Sequence, residues 1–224
     1  MATFEVEVKA LLGSEENAQA LRERLKLVDP HTTLTSTNKQ LNHYFLSTEA
    51  KPNLHSIKDH FMPGVNQELE SILARGKEFS IRTREKDGEV FLVVKASVDS
   101  TTSSNGITRM EFEENVPLTL DELDQLLLDA GLTYQAKWSR EREEYLCKGV
   151  NVCLDKNAGY GWLAEFEKVV GREADLESAR QEVRALMEQC GVVELQQERL
   201  ERMFAFYNAH WGEYYGTNKV FTVA

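Results

Sequence analysis

One run near the start constrains this chain more than any other: Phe4, Val6, Val8 and Ala10 alternate with Glu5, Glu7 and Lys9. Successive side chains of a strand point to opposite faces, so this period of two predicts a strand over residues 3–11 with one apolar and one charged side. The pattern returns along the chain. It predicts strands over residues 33–47, 78–85, 89–96, 107–116, 133–146, 150–154 and 162–169. Asp87-Gly88 marks a tight hairpin between the third and fourth of these eight.

Helical spacing appears between the strands. Ser14 is a candidate N-cap for a helix carrying Ala18, Leu21, Leu25 and Val28, which Pro30 ends. Thr119 and Glu122 have the spacing of a capping box, opening a helix with Leu123, Leu126 and Leu127 that stops at Gly131. Residues 48–77 contain Pro52, Pro63, Gly64 and Gly76 and read as an irregular insertion or lid with one short helix at 66–74. Residues 175–190 and 194–210 read as amphipathic helices, and residues 211–224 have no clear pattern. The expected organisation is a single domain over 1–224: a strand-rich core over 1–170, the insertion at 48–77, and a helical extension over 171–224.

The charged strand faces hold the chemistry. In chain order they present Glu5, Glu7 and Lys9; Arg82 and Arg84; Lys95; Arg109, Glu111 and Glu113; Arg140 and Arg142, preceded by Lys137; Asp155; and Glu165 and Glu167. Any one of these strands is explained well enough by an antiparallel sheet with one wetted face. The whole set asks for more, because helices are interspersed and need a surface to cover. An α+β fold with the sheet closed into an antiparallel barrel gives the helices the outer apolar face and puts the charges in the lumen. Enclosed charges must be paired or must hold ions. A divalent cation with a triphosphate satisfies both signs: carboxylates take the hard cation and Lys and Arg take phosphate oxygens.

These segments, in this order, resemble the CYTH family of triphosphate tunnel metalloenzymes. The likeness rests on Glu5-x-Glu7-x-Lys9, Ile81-Arg82-Thr83-Arg84, Leu92-Val93-Val94-Lys95, Arg109-Met110-Glu111-Phe112-Glu113, Lys137 through Tyr145, Asp155 with Gly159-Tyr160-Gly161-Trp162, and Glu165-Phe166-Glu167. It runs from Phe4 to about Val170. The resemblance implies a tunnel-like barrel with one or two divalent metals, Mg2+ or Mn2+, on Glu5, Glu7, Glu111, Glu113, Asp155, Glu165 and Glu167. It implies a triphosphate on Lys9, Arg82, Arg84, Lys95, Arg109, Arg140 and Arg142, with Lys137 a further candidate, and Glu5, Glu7 and Lys9 nearest the chemistry. The chain departs from the pattern at Asn42, where many members have Asp, and in its long insertion.

The activity this implies is metal-dependent hydrolysis of a triphosphate, with inorganic tripolyphosphate the expected substrate and ATP a slower one. Members specialised for thiamine triphosphate place a tryptophan two residues before the first phosphate arginine; here that residue is Ser80, which offers no stacking surface. Tyr160, Trp162 or the insertion are the alternative sources of a wall for an organic group. Adenylyl cyclase is the alternative activity, but the His-Phe pair that such members carry just before E-x-E-x-K is missing from Met1-Ala2-Thr3-Phe4. A non-catalytic polyphosphate- or nucleotide-binding module is a third reading, disfavoured because every acidic position is filled.

Composition narrows the partners. A net charge of −11 makes non-specific nucleic-acid binding unfavourable. No apolar run approaches the ~20 residues needed to cross a bilayer. The first residues lack a signal-peptide pattern, and Cys147, Cys153 and Cys190 form neither a disulfide framework nor a zinc motif, so a reducing cytoplasm is expected. His31, His43, His55, His60 and His210 show no metal spacing. The apolar faces of the C-terminal helices are core or partner-helix surfaces, which leaves a homodimer open.

Overall fold

The computed structural model describes residues 4–61, 63–97 and 109–222, and in it the period-two segments are strands. They are β1 (Phe4–Gly13), β2 (Thr33–Leu46), β3 (Phe79–Lys86), β4 (Glu89–Ser97), β5 (Arg109–Asn115), β6 (Thr133–Cys147), β7 (Val150–Asn157) and β8 (Gly161–Val170). The helices are α1 (Glu15–Val28), α2 (Ala50–Ile57), α3 (Pro63–Arg75), α4 (Leu120–Asp129), α5 (Leu176–Gln189) and α6 (Gln197–Tyr214). Among the described residues, no helix is long and apolar enough to cross a membrane.

The strands form one antiparallel sheet in the order β1-β8-β7-β6-β2-β3-β4-β5. The expected antiparallel sheet is therefore present; β1 and β5 stand at the two ends of its order, and among the described residues no pairing joins them. Alternation along a strand assigns faces; it carries no information about which distant strand meets its edge.

Two compact units share this sheet, with β2 and β6 contributing to both. The first holds residues 4–39 and 139–222. Val6, Val8 and Ala10 of β1, Ala164 and Phe166 of β8, and Val152 and Leu154 of β7 bury one face against Leu21 and Leu25 of α1 and Val183 and Leu186 of α5. Ser14 caps α1 by accepting from the Asn17 amide, as its position predicts. The unassigned tail finds a place here. Residue 211 continues α6 to Tyr214, and the chain then runs back across the β7–β8 turn. Gly159 donates its amide to the Lys219 carbonyl (2.9 Å), and Phe221 donates to the Gly159 carbonyl (2.8 Å). Phe221 packs among Tyr160, Phe206, Tyr207 and Tyr214. Gly159 has φ +83°, and a Cβ there would lie 2.7 Å from the Tyr207 ring, so both backbone and packing require glycine.

The second unit holds residues 40–61, 63–97 and 109–138. Phe45, Ile81, Leu92, Val94 and Phe112 bury one face against α2, α3 and α4 through Leu54, Leu69, Ile72, Leu123 and Leu127. The Thr119–Glu122 capping box forms as expected. Asp87 and Gly88 turn between β3 and β4 with φ of 52° and 90°, the left-handed pair that a two-residue hairpin needs. The insertion is more regular than expected. It contains two α-helices with a 3-10 turn at Lys58–His60 between them, and both prolines are tolerated because Pro52 and Pro63 stand in first turns, where a missing N–H breaks no helical hydrogen bond.

Candidate functional site

In the second unit, Arg82 and Arg84 leave β3 on the face opposite Ile81 and Thr83, as the two-residue period dictates. Lys95 on β4 is the cross-strand partner of Glu111 on β5, and its Nζ lies 3.2 Å from that carboxylate. Arg84 donates to Glu113 at 2.5 Å and through Nε to the Asn42 oxygen at 3.0 Å. Asn42 therefore holds Arg84 as a neutral acceptor, with no charge of its own. Arg82 is held more loosely. Its NH1 donates to the Tyr44 hydroxyl at 2.7 Å, Glu111 is 3.7 Å away, and its buried Nε has no hydrogen-bond acceptor among the described residues. Burial pushes Glu111 up, yet Lys95 and Arg82 outweigh it and hold that carboxyl below the usual range. Arg109 begins β5, but its side chain lies outside the described residues.

Lys137 is not with these cations. Its Nζ lies 3.7 Å from Asp124 of α4 and 4.3 Å from the centre of the Tyr134 ring. Asp124, only 2% exposed, also receives hydrogen bonds from Thr83 Oγ1 (2.5 Å) and the Tyr134 hydroxyl (2.6 Å), and its other close neighbour is His43 Nδ1 (2.6 Å). Burial pushes Asp124 up, but the hydrogen bonds from His43, Thr83 and Tyr134 prevail and lower it. This buried polar cluster went unrecognised in the sequence. Its signal was present: Leu120, Leu123, Asp124 and Leu127 form a single helical stripe. Tyr134 and Lys137, three residues apart, both reach Asp124, so the alternation of β6 slips once between them.

In the first unit, Lys9 bridges Glu7 on its own strand and Glu165 on β8, the latter at 2.9 Å. Arg142 donates to both Asp155 oxygens (2.7 and 2.5 Å) and to Glu165, and Arg140 donates to Asp155 at 3.0 Å. Asp155 is 1% exposed. Burial alone would raise Glu165, but Lys9, Arg142 and Arg140 hold it well below the carboxylate range. Glu7 pairs directly with Glu167 across β1 and β8, and Glu5 pairs with Val169 one step along the same face.

Two further side chains of this face escaped the sequence reading. Glu144, two residues past Arg142, accepts from Asn38 at 3.1 Å. Cys153 pairs across the sheet with both Glu144 and Glu165, and burial pushes its thiol up to about 12 although Arg142 opposes this. Period two, extended from Arg142 and Asp155, finds both.

The two units thus differ in charge balance. On the first, Glu5, Glu7, Glu144, Asp155, Glu165 and Glu167 outnumber Lys9, Arg140 and Arg142. On the second, Arg82, Arg84 and Lys95 outnumber Glu111 and Glu113. The first set is rich in hard oxygen donors and suits a magnesium or manganese ion. Among the described residues, no three His, Cys, Asp or Glu side chains converge on one point; Asp155 and Glu165 are engaged by arginine and lysine.

A family profile of the CYTH domain matches residues 66–199. The match covers most of the charged strand faces and leaves Glu5-x-Glu7-x-Lys9 outside it. No curated protein matches the sequence. Solved structures share the fold. A protein of Pyrococcus horikoshii OT3 is 20% identical, with TM-score 0.58 over 88% of this chain and 99% of its own. A candidate adenylate cyclase from Vibrio parahaemolyticus is 16% identical, with TM-score 0.61 over 92% and 99%. A candidate adenylyl cyclase from Hippeastrum, described as having a dominant triphosphatase activity, is 15% identical, with TM-score 0.52 over 90% and 95%.

Proposed function

The chain belongs to the CYTH domain family, and from that premise we propose that it is a divalent-metal-dependent hydrolase that releases the terminal phosphate of a triphosphate. The observation that carries this reading is the opposite charge surplus on the two strand faces. Taken each by itself, the second unit's cations suit phosphate oxygens and the first unit's carboxylates suit a divalent cation. The buried, unsatisfied Arg82 Nε supports it further, because an orphaned guanidinium donor suits an oxyanion. Inorganic tripolyphosphate is the simplest substrate of this class and the first to test. The closed tunnel expected from the sequence belongs to this proposal.

In this reading Arg82, Arg84 and Lys95 hold phosphate oxygens, and their charge stabilises the negative charge that shifts as the terminal bond breaks. Lys9, Arg140 and Arg142 fix the positions of Glu165 and Asp155 through the ion pairs described above. Within the first unit, Glu5, Glu7, Glu165, Glu167 and Asp155 are the residues that would hold Mg2+ or Mn2+, and within the second, Glu111 and Glu113 are the candidates. Once bound, that ion supplies Lewis-acid polarisation of the phosphoryl group. Glu5 or Glu7 is one candidate to take the proton of the attacking water; the alternative is that the ion, once bound, would itself make that water acidic enough to lose it.

The test is product analysis with MgCl2. Orthophosphate released from tripolyphosphate, and lost on chelation with EDTA, is the expected result. Cyclic AMP formed from ATP would mark a cyclase instead. No turnover of any triphosphate with either metal would refute the hydrolase reading.

A further inference from the structure

The second unit contains an aromatic surface beside Arg82. Tyr44 on β2 is the cross-strand partner of Arg82, so its ring lies on the phosphate-arginine side of the sheet. The Arg82 guanidinium sits 5.4 Å from the centre of that ring and donates to its hydroxyl. Trp138 meets the Tyr44 ring edge-on, with centroids 6.3 Å apart and planes at 61°. Both rings are only half-buried. Tyr44 thus touches both the Arg82 guanidinium and the Trp138 indole.

The residues the sequence offered for this task are elsewhere or unsuited. Ser80 stands beside Lys95 with no ring. Tyr160 is buried among the aromatics of α6 and the tail. Trp162 belongs to the helix-covered face, with the Arg22 guanidinium 5.0 Å from its ring.

We propose that Trp138, braced by Tyr44, is a specificity-determining residue that stacks on a planar heteroaromatic group joined to the triphosphate. A nucleoside triphosphate is the chemical class that fits. Tyr44 links the indole to the guanidinium by contact, which puts a π-face near a candidate phosphate ligand. Base–aromatic stacking depends on a π-face and tolerates any base, so this surface distinguishes organic from inorganic triphosphates without distinguishing among bases. Tyr44 is a positioning residue. With Arg82 on its ring and Trp138 at its edge, it sets the distance between the phosphate grip and the stacking surface.

This inference rests on the triphosphatase reading, and its test separates the two. KM is measured for ATP and for tripolyphosphate at one MgCl2 concentration in the intact protein, Trp138→Phe and Trp138→Ala. The ratio of the two KM values should rise about tenfold in Trp138→Ala and stay near the parent value in Trp138→Phe. A parallel titration uses Trp162→Phe/Trp211→Phe, where Trp138 is the remaining tryptophan, with a non-hydrolysable ATP analogue. Its fluorescence should be quenched by the analogue and not by tripolyphosphate. An unchanged KM ratio, or equal quenching by both ligands, overturns the proposal. If no triphosphate is turned over, the hydrolase reading fails, and the titration alone decides the role of Trp138.

Discussion

Glu7 on β1 and Glu167 on β8 are direct cross-strand partners, two carboxylates facing the same side of the sheet. Like charges opposite one another weaken a strand pair. Lys9 relieves Glu7 from one side. A bound dication would relieve the pair further, and this gives the metal reading a test that needs no turnover. MgCl2 should raise the melting temperature of the parent protein, and Glu167→Gln should shrink that rise. Thermal unfolding with and without MgCl2 measures both. An undiminished magnesium shift in the variant would count against Glu167 as a ligand.

The two charged sets should respond differently to metal. Arg82→Ala and Arg84→Ala should each lower kcat/KM by on the order of a hundredfold, the scale seen when an oxyanion donor is lost. Added magnesium should not restore them. Glu165→Gln should recover part of its loss as magnesium is raised. Kinetics across a magnesium titration compare the three, and rescue of the arginine variants alone would reverse the assignment.

Asp124 should matter for stability far more than its place on a helix suggests. It gathers His43, Thr83 and Tyr134 in a buried setting, so Asp124→Ala leaves several polar groups without a partner. The expected loss is about 3 kcal/mol, with a smaller loss for Asp124→Asn, which keeps an acceptor oxygen. Urea unfolding gives both values, and a loss under about 1 kcal/mol for Asp124→Ala would show that the cluster contributes little.

Acid should destabilise the fold. Glu111, Glu165 and Asp124 all have folded-state values below their ordinary ones. A carboxyl lowered on folding contributes stability that is present above its unfolded value, near 4, and is lost as pH falls through the folded value. Stability should therefore be level above about pH 6 and decline steadily below about pH 5. Urea midpoints from pH 7 down to pH 3 check the sign, and Asp124→Asn should flatten part of the slope.

The sequence by itself determined what adjacent residues can determine. The alternation at Glu5, Glu7 and Lys9 assigned a charged face because successive strand side chains must diverge. Asp87-Gly88 specified a hairpin because its left-handed turn tolerates few residues, and Thr119 with Glu122 specified where α4 begins. Tertiary structure alone decided the pairings between distant segments. Nothing local says that Glu7 faces Glu167, that Lys137 joins Asp124 while Arg142 joins Asp155, or that Trp138 stands beside Tyr44. Those choices depend on strand order and on one slip in the alternation of β6. Both are selected by the packing energy of the whole sheet and its helices, to which no short stretch of sequence has access.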